Sequence, residues 1–291
     1  TLCGIAGYYC WGEARPNVPA LKQLLIAQQE RGKDAAGVAY LHNGGIVVNK
    51  APGKPEDFVK AQNDEWWEQV AASPIALLHA RAKTKGSETK NENNHPVHWG
   101  DWVVTHNGTL TNDDDLFAHY KAERFAEVDT AAIPIALSQG VDYEDSLKHL
   151  TLLSGSGTMA LLSANDLTKV ALYRFGKWDL HLVYDPGRRI VYWSSLPSGI
   201  DVLPGYKIGS TWYTTLGFLG EDRLMVFSPA ERGVKASEWK MERSPFLVPL
   251  LPRPATSVSN GTTIGGSKGT SATTVKWERP EAERWRSKPV P

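Results

Sequence analysis

Residues 74–82 read Pro-Ile-Ala-Leu-Leu-His-Ala-Arg-Ala. The apolar run is continuous rather than alternating, which predicts a strand buried inside the fold. The first ten residues, Thr-Leu-Cys-Gly-Ile-Ala-Gly-Tyr-Tyr-Cys, are also apolar, although chain termini are usually frayed and polar. They predict a first strand with Cys3 near its exposed beginning. A length of 291 residues leaves room for one large domain or two small ones, and 41% hydrophobic residues supply a sizeable core.

The remaining elements follow from periodicity. Residues 20–32 place Leu21, Leu24 and Leu25 at helical spacing and end at Gly32, a C-cap residue type. Residues 34–50 read as two strands joined by Asn43-Gly44-Gly45, a strong hairpin signal. Residues 55–73 predict a second helix, with Pro55 and acidic residues in its first turn. A long polar loop then leads to a strand over 101–110. Helices are expected from about 111 and from 129, the first opening on a cluster of capping residues. From about 158 the pattern becomes β. Beyond 243 the chain is rich in Pro, Ser, Thr and Gly without periodicity, and it ends in a charged stretch with two tryptophans. The expected organisation is a domain over 1–243 and an extended or disordered arm over 244–291.

Charge excludes some functions. Lys+Arg and Asp+Glu are 32 each, so there is no electrostatic case for a nucleic-acid or membrane partner. The two cysteines, Cys3 and Cys10, are too few for a disulfide framework. No stretch reaches the roughly 18 apolar residues of a membrane span, and the start lacks a signal-peptide pattern. The expected location is the cytoplasm. The eleven tryptophans are scattered, which predicts packing.

Four stretches combine glycine with side chains able to do chemistry: Cys3-Gly4-Ile5-Ala6-Gly7, Arg31 to Gly37, His79 to Gly86, and His106-Asn107-Gly108. Polar groups at the ends of apolar strands are costly unless paired, and a site is one explanation for their accumulation. Singly, each also has a structural explanation. Cys3 fits a core residue, Arg81 an ion-pair partner, His106-Asn107-Gly108 a turn, and Asp129 a helix N-cap.

In order, these stretches resemble the glutaminase domain of class II glutamine amidotransferases, which are N-terminal-nucleophile hydrolases. Cys3-Gly4-Ile5 matches the family's opening motif. Arg31-Gly32-Lys33-Asp34-Ala35-Ala36-Gly37 matches its Arg-Gly-x-Asp-x-x-Gly. His79, Arg81, Thr84 and Gly86 match a third motif, with Ala82 in place of the usual tryptophan and Lys85 where histidine is frequent. Asn93-Asn94-His95-Pro96 echoes an Asn-x-His-Pro loop. His106-Asn107-Gly108, with Asn112 after it, and Asp129-Thr130 complete the set.

The resemblance implies an α+β fold, a four-layer αββα sandwich, and an amidohydrolase acting on glutamine or a related γ-glutamyl amide. It assigns Cys3 as nucleophile, with Asn107 and the Gly108 N–H stabilising the oxyanion. Arg81 binds the substrate α-carboxylate, Asp129 the α-ammonium, Thr84 orients the substrate, and Arg31 braces the loop of the nucleophile. No metal or organic cofactor is required. The family's base is the nucleophile's own α-amine, yet Thr1-Leu2 precedes Cys3 here. Three readings stand: a removed leader, Thr1 as nucleophile, or a retired site. About 60 residues follow the expected fold and carry no nucleotide-binding motif, so a stand-alone domain is expected. It delivers ammonia to a separate acceptor enzyme or, as the alternative, serves as a catalytically retired interaction module whose C-terminal tail docks an assembly partner.

Overall fold

The computed structural model describes residues 3–206, 214–230 and 233–243. The first half contains β1 (Gly4–Cys10), α1 (Val18–Ala27), β2 (Ala35–His42), β3 (Gly45–Pro52), α2 (Pro55–Ala61), α3 (Asp64–Ala72) and β4 (Ile75–Arg81). Next come β5 (Val97–Trp99), β6 (Trp102–Leu110), α4 (Asp113–Tyr120), α5 (Ala132–Leu137) and α6 (Tyr143–Lys148). The chain continues through β7 (Gly155–Ser163), β8 (Asp166–Phe175), β9 (His181–Asp185), β10 (Ile190–Ser194) and α7 (Pro197–Asp201). Strands β11 (Thr214–Phe218), β12 (Arg223–Ala230) and β13 (Gly233–Lys240) complete it.

Among the described residues, one sheet has the order β11-β9-β10-β1-β4-β2-β3 and the other β13-β12-β8-β7-β6-β5. Every neighbouring pair is antiparallel. Three apolar cores separate four layers. Between the sheets lie Ile5, Leu77, Val103, Leu162 and Trp193. Outside the first sheet, Leu21, Leu25, Trp67 and Val70 pack on Tyr8 and Leu78. Outside the second, Leu116, Ile133 and Leu147 pack on Val104, Leu161 and Tyr173.

This is the expected αββα sandwich. Because helices cover the outer face of each sheet, central strands are apolar on both sides. In β4, Ile75 and Leu77 enter the inter-sheet core while Ala76 and Leu78 face the helices, which accounts for the continuous run. Trp67, Trp102 and Trp193 are fully buried; truncating side chains of this size in a core costs roughly 3–5 kcal/mol.

Local chemistry sets the connections. The β2–β3 turn places Asn43 at φ +50° and Gly44 at φ +76°, the positive pair that a two-residue hairpin favours. The single helix expected over 55–73 is two, because Gln62 is extended and the Asn63 side chain accepts from the Trp66 amide at 2.8 Å, starting α3 afresh. Helix α1 ends at Ala27, not Gly32, and gives way to a 3₁₀ turn over Gln28–Glu30. The Gln28 side chain is drawn inward: its Nε2 donates to Ser194 Oγ at 3.0 Å and its Oε1 accepts from Ser195 Oγ at 3.1 Å. The helix expected from 129 opens as a 3₁₀ turn, Asp129–Ala131, before α5. Asn112 stands at the N-cap of α4 without capping it; its side chain donates to Leu152 O and accepts from the Ser154 amide instead. The arm expected over 244–291 lies outside the described residues. Among the described residues, no helix is long and apolar enough to cross a membrane.

Candidate active site

The ends of β1, β4 and β6 converge at one end of the inter-sheet layer. Cys3 immediately precedes β1 and is half-buried. Its Sγ donates to Ala82 O at 3.6 Å and accepts from the Ala82 amide at 3.4 Å. The strand behind it is fixed from across the sheet, because Ser195 Oγ accepts from the Ile5 amide at 3.0 Å and the Ser195 amide donates to Ile5 O at 2.8 Å. Burial raises the Cys3 pKa to about 11, and the charges of Asp129 and Asp34 add to this against the Ala82 N–H and the Arg81 charge. At neutral pH the sulfur is therefore a thiol, a weak nucleophile until a base takes its proton.

Segment 31–34 props the end of β4. A Cβ on Gly32 would lie 2.5 Å from both Ala80 O and Arg81 C, so only glycine permits this approach. The Asp34 amide donates to Arg81 O at 2.9 Å, and Asp34 Oδ2 accepts from the Lys83 amide at 2.7 Å. Arg31 is half-buried, and its Nη1 is buried with no hydrogen-bond partner.

Arg81 is 2% exposed. Its Nη1 donates to Asn94 Oδ1 at 2.8 Å, while Nη2 donates to Lys85 O at 2.7 Å and Gly86 O at 2.8 Å. Both Nη2 protons are thus engaged, and the free bidentate fork expected for a substrate carboxylate is occupied by the chain's own turn. Thr84 is exposed on that turn. Lys85 ties the turn to α4 through an ion pair to Asp113 at 2.8 Å, and Asp113 also pairs with Arg124 at 2.8 Å.

Opposite, β6 carries Asn107 on the same face as Val103, which lies in the inter-sheet core. Asn107 is 0% exposed, and neither its Oδ1 nor its Nδ2 has a hydrogen-bond partner. Such an unpaired buried amide costs about 1–3 kcal/mol. Next to it, a Cβ on Gly108 would meet Ser156 O at 2.2 Å and Gly157 Cα at 2.4 Å. Asp129 accepts from the Leu110 amide at 2.7 Å and the Thr130 amide at 2.8 Å, which pins its carboxylate beside the end of β6.

The structure therefore brings Cys3, Arg81, Asn107, Gly108 and Asp129 to one end of the sandwich, with Arg31 and Thr84 at its margin. Three buried histidines lie behind them. His79 Nε2 donates to His106 O at 3.1 Å, and the hydrogen bonds of His95 and His106 run to Thr130 Oγ1. None of these bonds reaches Cys3, so the site has no Cys–His pair. Among the described residues, no group of three or more His, Cys, Asp or Glu could hold a metal ion.

Several supporting residues escaped the sequence reading. Asn94 holds Arg81 but stood at the variable position of its motif. Lys50 holds that loop from β3, its Nζ donating to Asn94 O at 2.7 Å and Pro96 O at 2.9 Å. Ser194 and Ser195 carried a faint signal, two hydroxyls closing an apolar strand.

No family model matches the chain. It is 33% identical over 174 residues to glutamine–fructose-6-phosphate aminotransferase [isomerizing] of Aquifex aeolicus, covering 57% of this chain and 28% of that protein. It is 28% identical over 191 residues to 7-cyano-7-deazaguanine synthase of Saccharolobus solfataricus, covering 63% of this chain and 40% of that protein. The chain therefore spans less than half the length of these relatives. Its fold matches glutamine phosphoribosylpyrophosphate amidotransferase from B. subtilis with a TM-score of 0.63 at 18% identity, over 80% of this chain and 48% of that one.

Proposed function

Given that this chain is a homologue of the class II glutamine amidotransferase domains and shares their N-terminal-nucleophile hydrolase fold, we propose that it hydrolyses the side-chain amide of glutamine through Cys3 and passes the ammonia to a separate acceptor. The observation that carries this reading is the buried, unpartnered Asn107 amide on the inter-sheet face. A buried N–H₂ with no acceptor inside the protein is suited to an oxygen supplied by a substrate.

The Cys3 α-amine takes the thiol proton; its reference pKa of about 8 suits neutral pH. The sulfur attacks the amide carbon, and the new C–S bond places negative charge on the carbonyl oxygen. Asn107 Nδ2 and the Gly108 N–H donate to that oxyanion. The ammonium of Cys3 returns its proton to the leaving nitrogen, the C–N bond breaks, and ammonia departs from a thioester. Water, deprotonated by the same amine, then releases glutamate. Because Leu2 is bonded to the Cys3 nitrogen, the reading requires cleavage of the Leu2–Cys3 peptide bond.

Asp129 is assigned to the substrate α-ammonium and Arg81 to the α-carboxylate. To receive the carboxylate, Arg81 exchanges the Lys85 and Gly86 carbonyls for it, which lifts the turn carrying Thr84 and makes room for substrate. Arg31 braces the loop beside Cys3.

Ammonia release from glutamine by protein beginning at Cys3 tests the reading. Turnover is expected, and Asn107→Ala lowers kcat by about 100- to 1000-fold through loss of one oxyanion donor. Wild-type turnover that Asn107→Ala leaves unchanged removes Asn107 from the oxyanion site.

A further inference from the structure

Among the motif residues without a role in this chemistry are His79, His95, His106 and Thr130. Each neighbours a proposed substrate-contacting group in sequence or supports one. His79 lies two residues before Arg81 on β4. His95 follows Asn94, which holds the Arg81 guanidinium. His106 precedes Asn107, and Thr130 follows Asp129. All four are buried, none more than 4% exposed.

In space they form one connected group. Thr130 Oγ1 lies 3.0 Å from both His95 Nε2 and His106 Nδ1. His79 donates from Nε2 to His106 O at 3.1 Å and stacks on His95, ring centroids 4.2 Å apart and 15° from parallel. The His106 ring is confined, because a Cβ on Gly108 would lie 2.8 Å from its Nε2. One hydroxyl thus joins the loop bearing Asn94, the strand bearing Asn107 and the turn bearing Asp129.

We propose that Thr130, with His79, His95 and His106, is a positioning network that sets the relative placement of Asn107, Asp129 and Arg81 without touching substrate. The proposal rests on the glutamine-site reading above. Thr130 Oγ1 also lies 3.5 Å from Asp129 Oδ1, so its single proton goes either to one of the two facing imidazoles, the other then donating to it, or to that carboxylate, both imidazoles then donating. The facing atoms are Nε2 of His95 and Nδ1 of His106. If His106 Nδ1 accepts, that ring carries its proton on Nε2, and His95 Nε2 must be the donor. If His95 Nε2 accepts, both rings carry their protons on Nδ1. In those two cases His95 and His106 share a tautomer; with the Thr130 proton directed to Asp129, His95 is the Nε2–H form and His106 the Nδ1–H form. His79 is fixed as the Nε2–H form by its carbonyl partner. Desolvation lowers the pKa of all three rings, to about 3 for His79, so each is neutral when the site works.

Thr130→Val keeps the shape of the side chain and deletes the hydroxyl; Thr130→Ser keeps the hydroxyl. Thr130→Val is expected to raise KM for glutamine and lower kcat together, with kcat/KM falling about tenfold or more, as sub-ångström misplacement of reacting groups does. Thr130→Ser is expected to recover most of that loss. A purely structural role would lower Tm and leave the kinetics of the folded fraction unchanged. Should Thr130→Val fail to fold, His95→Gln, which keeps a polar nitrogen near Nε2, and His95→Leu provide the same contrast.

Ring-nitrogen NMR of the wild-type protein at neutral pH supplies a readout independent of activity. Three neutral imidazoles are expected, His79 as the Nε2–H form and at least one of His95 Nε2 and His106 Nδ1 carrying the proton that faces Thr130. A His95 protonated on Nδ1 together with a His106 protonated on Nε2, which leaves two acceptors facing one hydroxyl proton, or a Thr130→Val enzyme with unchanged kcat and KM, would overturn the network. A wild-type protein inert toward glutamine refutes the functional reading, while the spectra still decide the hydrogen-bond arrangement.

Discussion

Replacing Cys3 by alanine abolishes glutamine-dependent ammonia release, a loss of about 10,000-fold or more, because removing a nucleophile eliminates the covalent route altogether. The fold is expected to survive. Cys3 precedes the first strand, is half-buried, and among the described residues its side chain bonds only to the backbone of Ala82. A Tm close to that of the wild type, measured on the same samples, separates loss of chemistry from loss of structure. Turnover that persists in Cys3→Ala at more than about one-hundredth of the wild-type rate would show that another group forms the acyl intermediate. The prediction is sharpened by the state of the thiol. With its pKa raised to about 11 by burial, Cys3 is not a thiolate awaiting any electrophile. It should alkylate slowly with a generic reagent at neutral pH and react rapidly only where its own amine removes the proton.

The second large effect is on stability. His79, His95, His106 and His149 are buried, and desolvation lowers the pKa of each. In the unfolded chain they titrate near the ordinary value of 6.5, so below that pH the unfolded state binds more protons than the folded state. Stability therefore rises with pH across this window and falls as pH drops through 6.5, continuing downward until the folded-state pKa is reached, about 3 for His79. For His79, whose folded-state pKa is about 3, the loss between pH 7 and 5 is roughly 2 kcal/mol. His95, His106 and His149 act in the same direction, against a total stability of about 5–15 kcal/mol for an ordinary domain. The carboxylates act in a different window: Asp113 and Glu127 are held below their ordinary values of 3.8 and 4.5 by cationic and hydrogen-bond partners, and their contribution is lost only at lower pH. Urea unfolding at pH 7, 6 and 5 checks this. A midpoint that drops steeply over that range is expected; a flat profile would contradict neutral, desolvated histidines.

Much of the architecture was legible because its physical causes are local. The continuous apolar run at 74–82 required a strand covered on both faces, and the two sheets between helical layers provide that environment. Asn43-Gly44 signalled its hairpin through the positive φ that both residues accept. The misjudged points arose where a side chain made a bond the sequence does not display. Asn63 restarts a helix by capping it, Gln28 ends one by turning inward to Ser194 and Ser195, and Asn112 leaves its cap to bridge Leu152 and Ser154. The site follows the same division. Its motif residues lie in order along the chain, and the fold gathers them at one end of the inter-sheet layer. What the spacing could not show is the partnership of Arg81 with Asn94 and the 85–86 turn, or the convergence of His95 and His106 on Thr130. Those depend on contacts between segments up to 35 residues apart in sequence, from His95 to Thr130.

The intact mass of the protein beginning at Cys3, measured before and after incubation with a diazo-ketone analogue of glutamine, tests the glutaminase site most directly. A gain of one adduct is expected, located on the peptide containing Cys3 and suppressed by excess glutamine, with no gain in protein whose Leu2–Cys3 bond is intact. Protein that begins at Cys3 and still gains no adduct would contradict the claim that this fold carries a working glutaminase site.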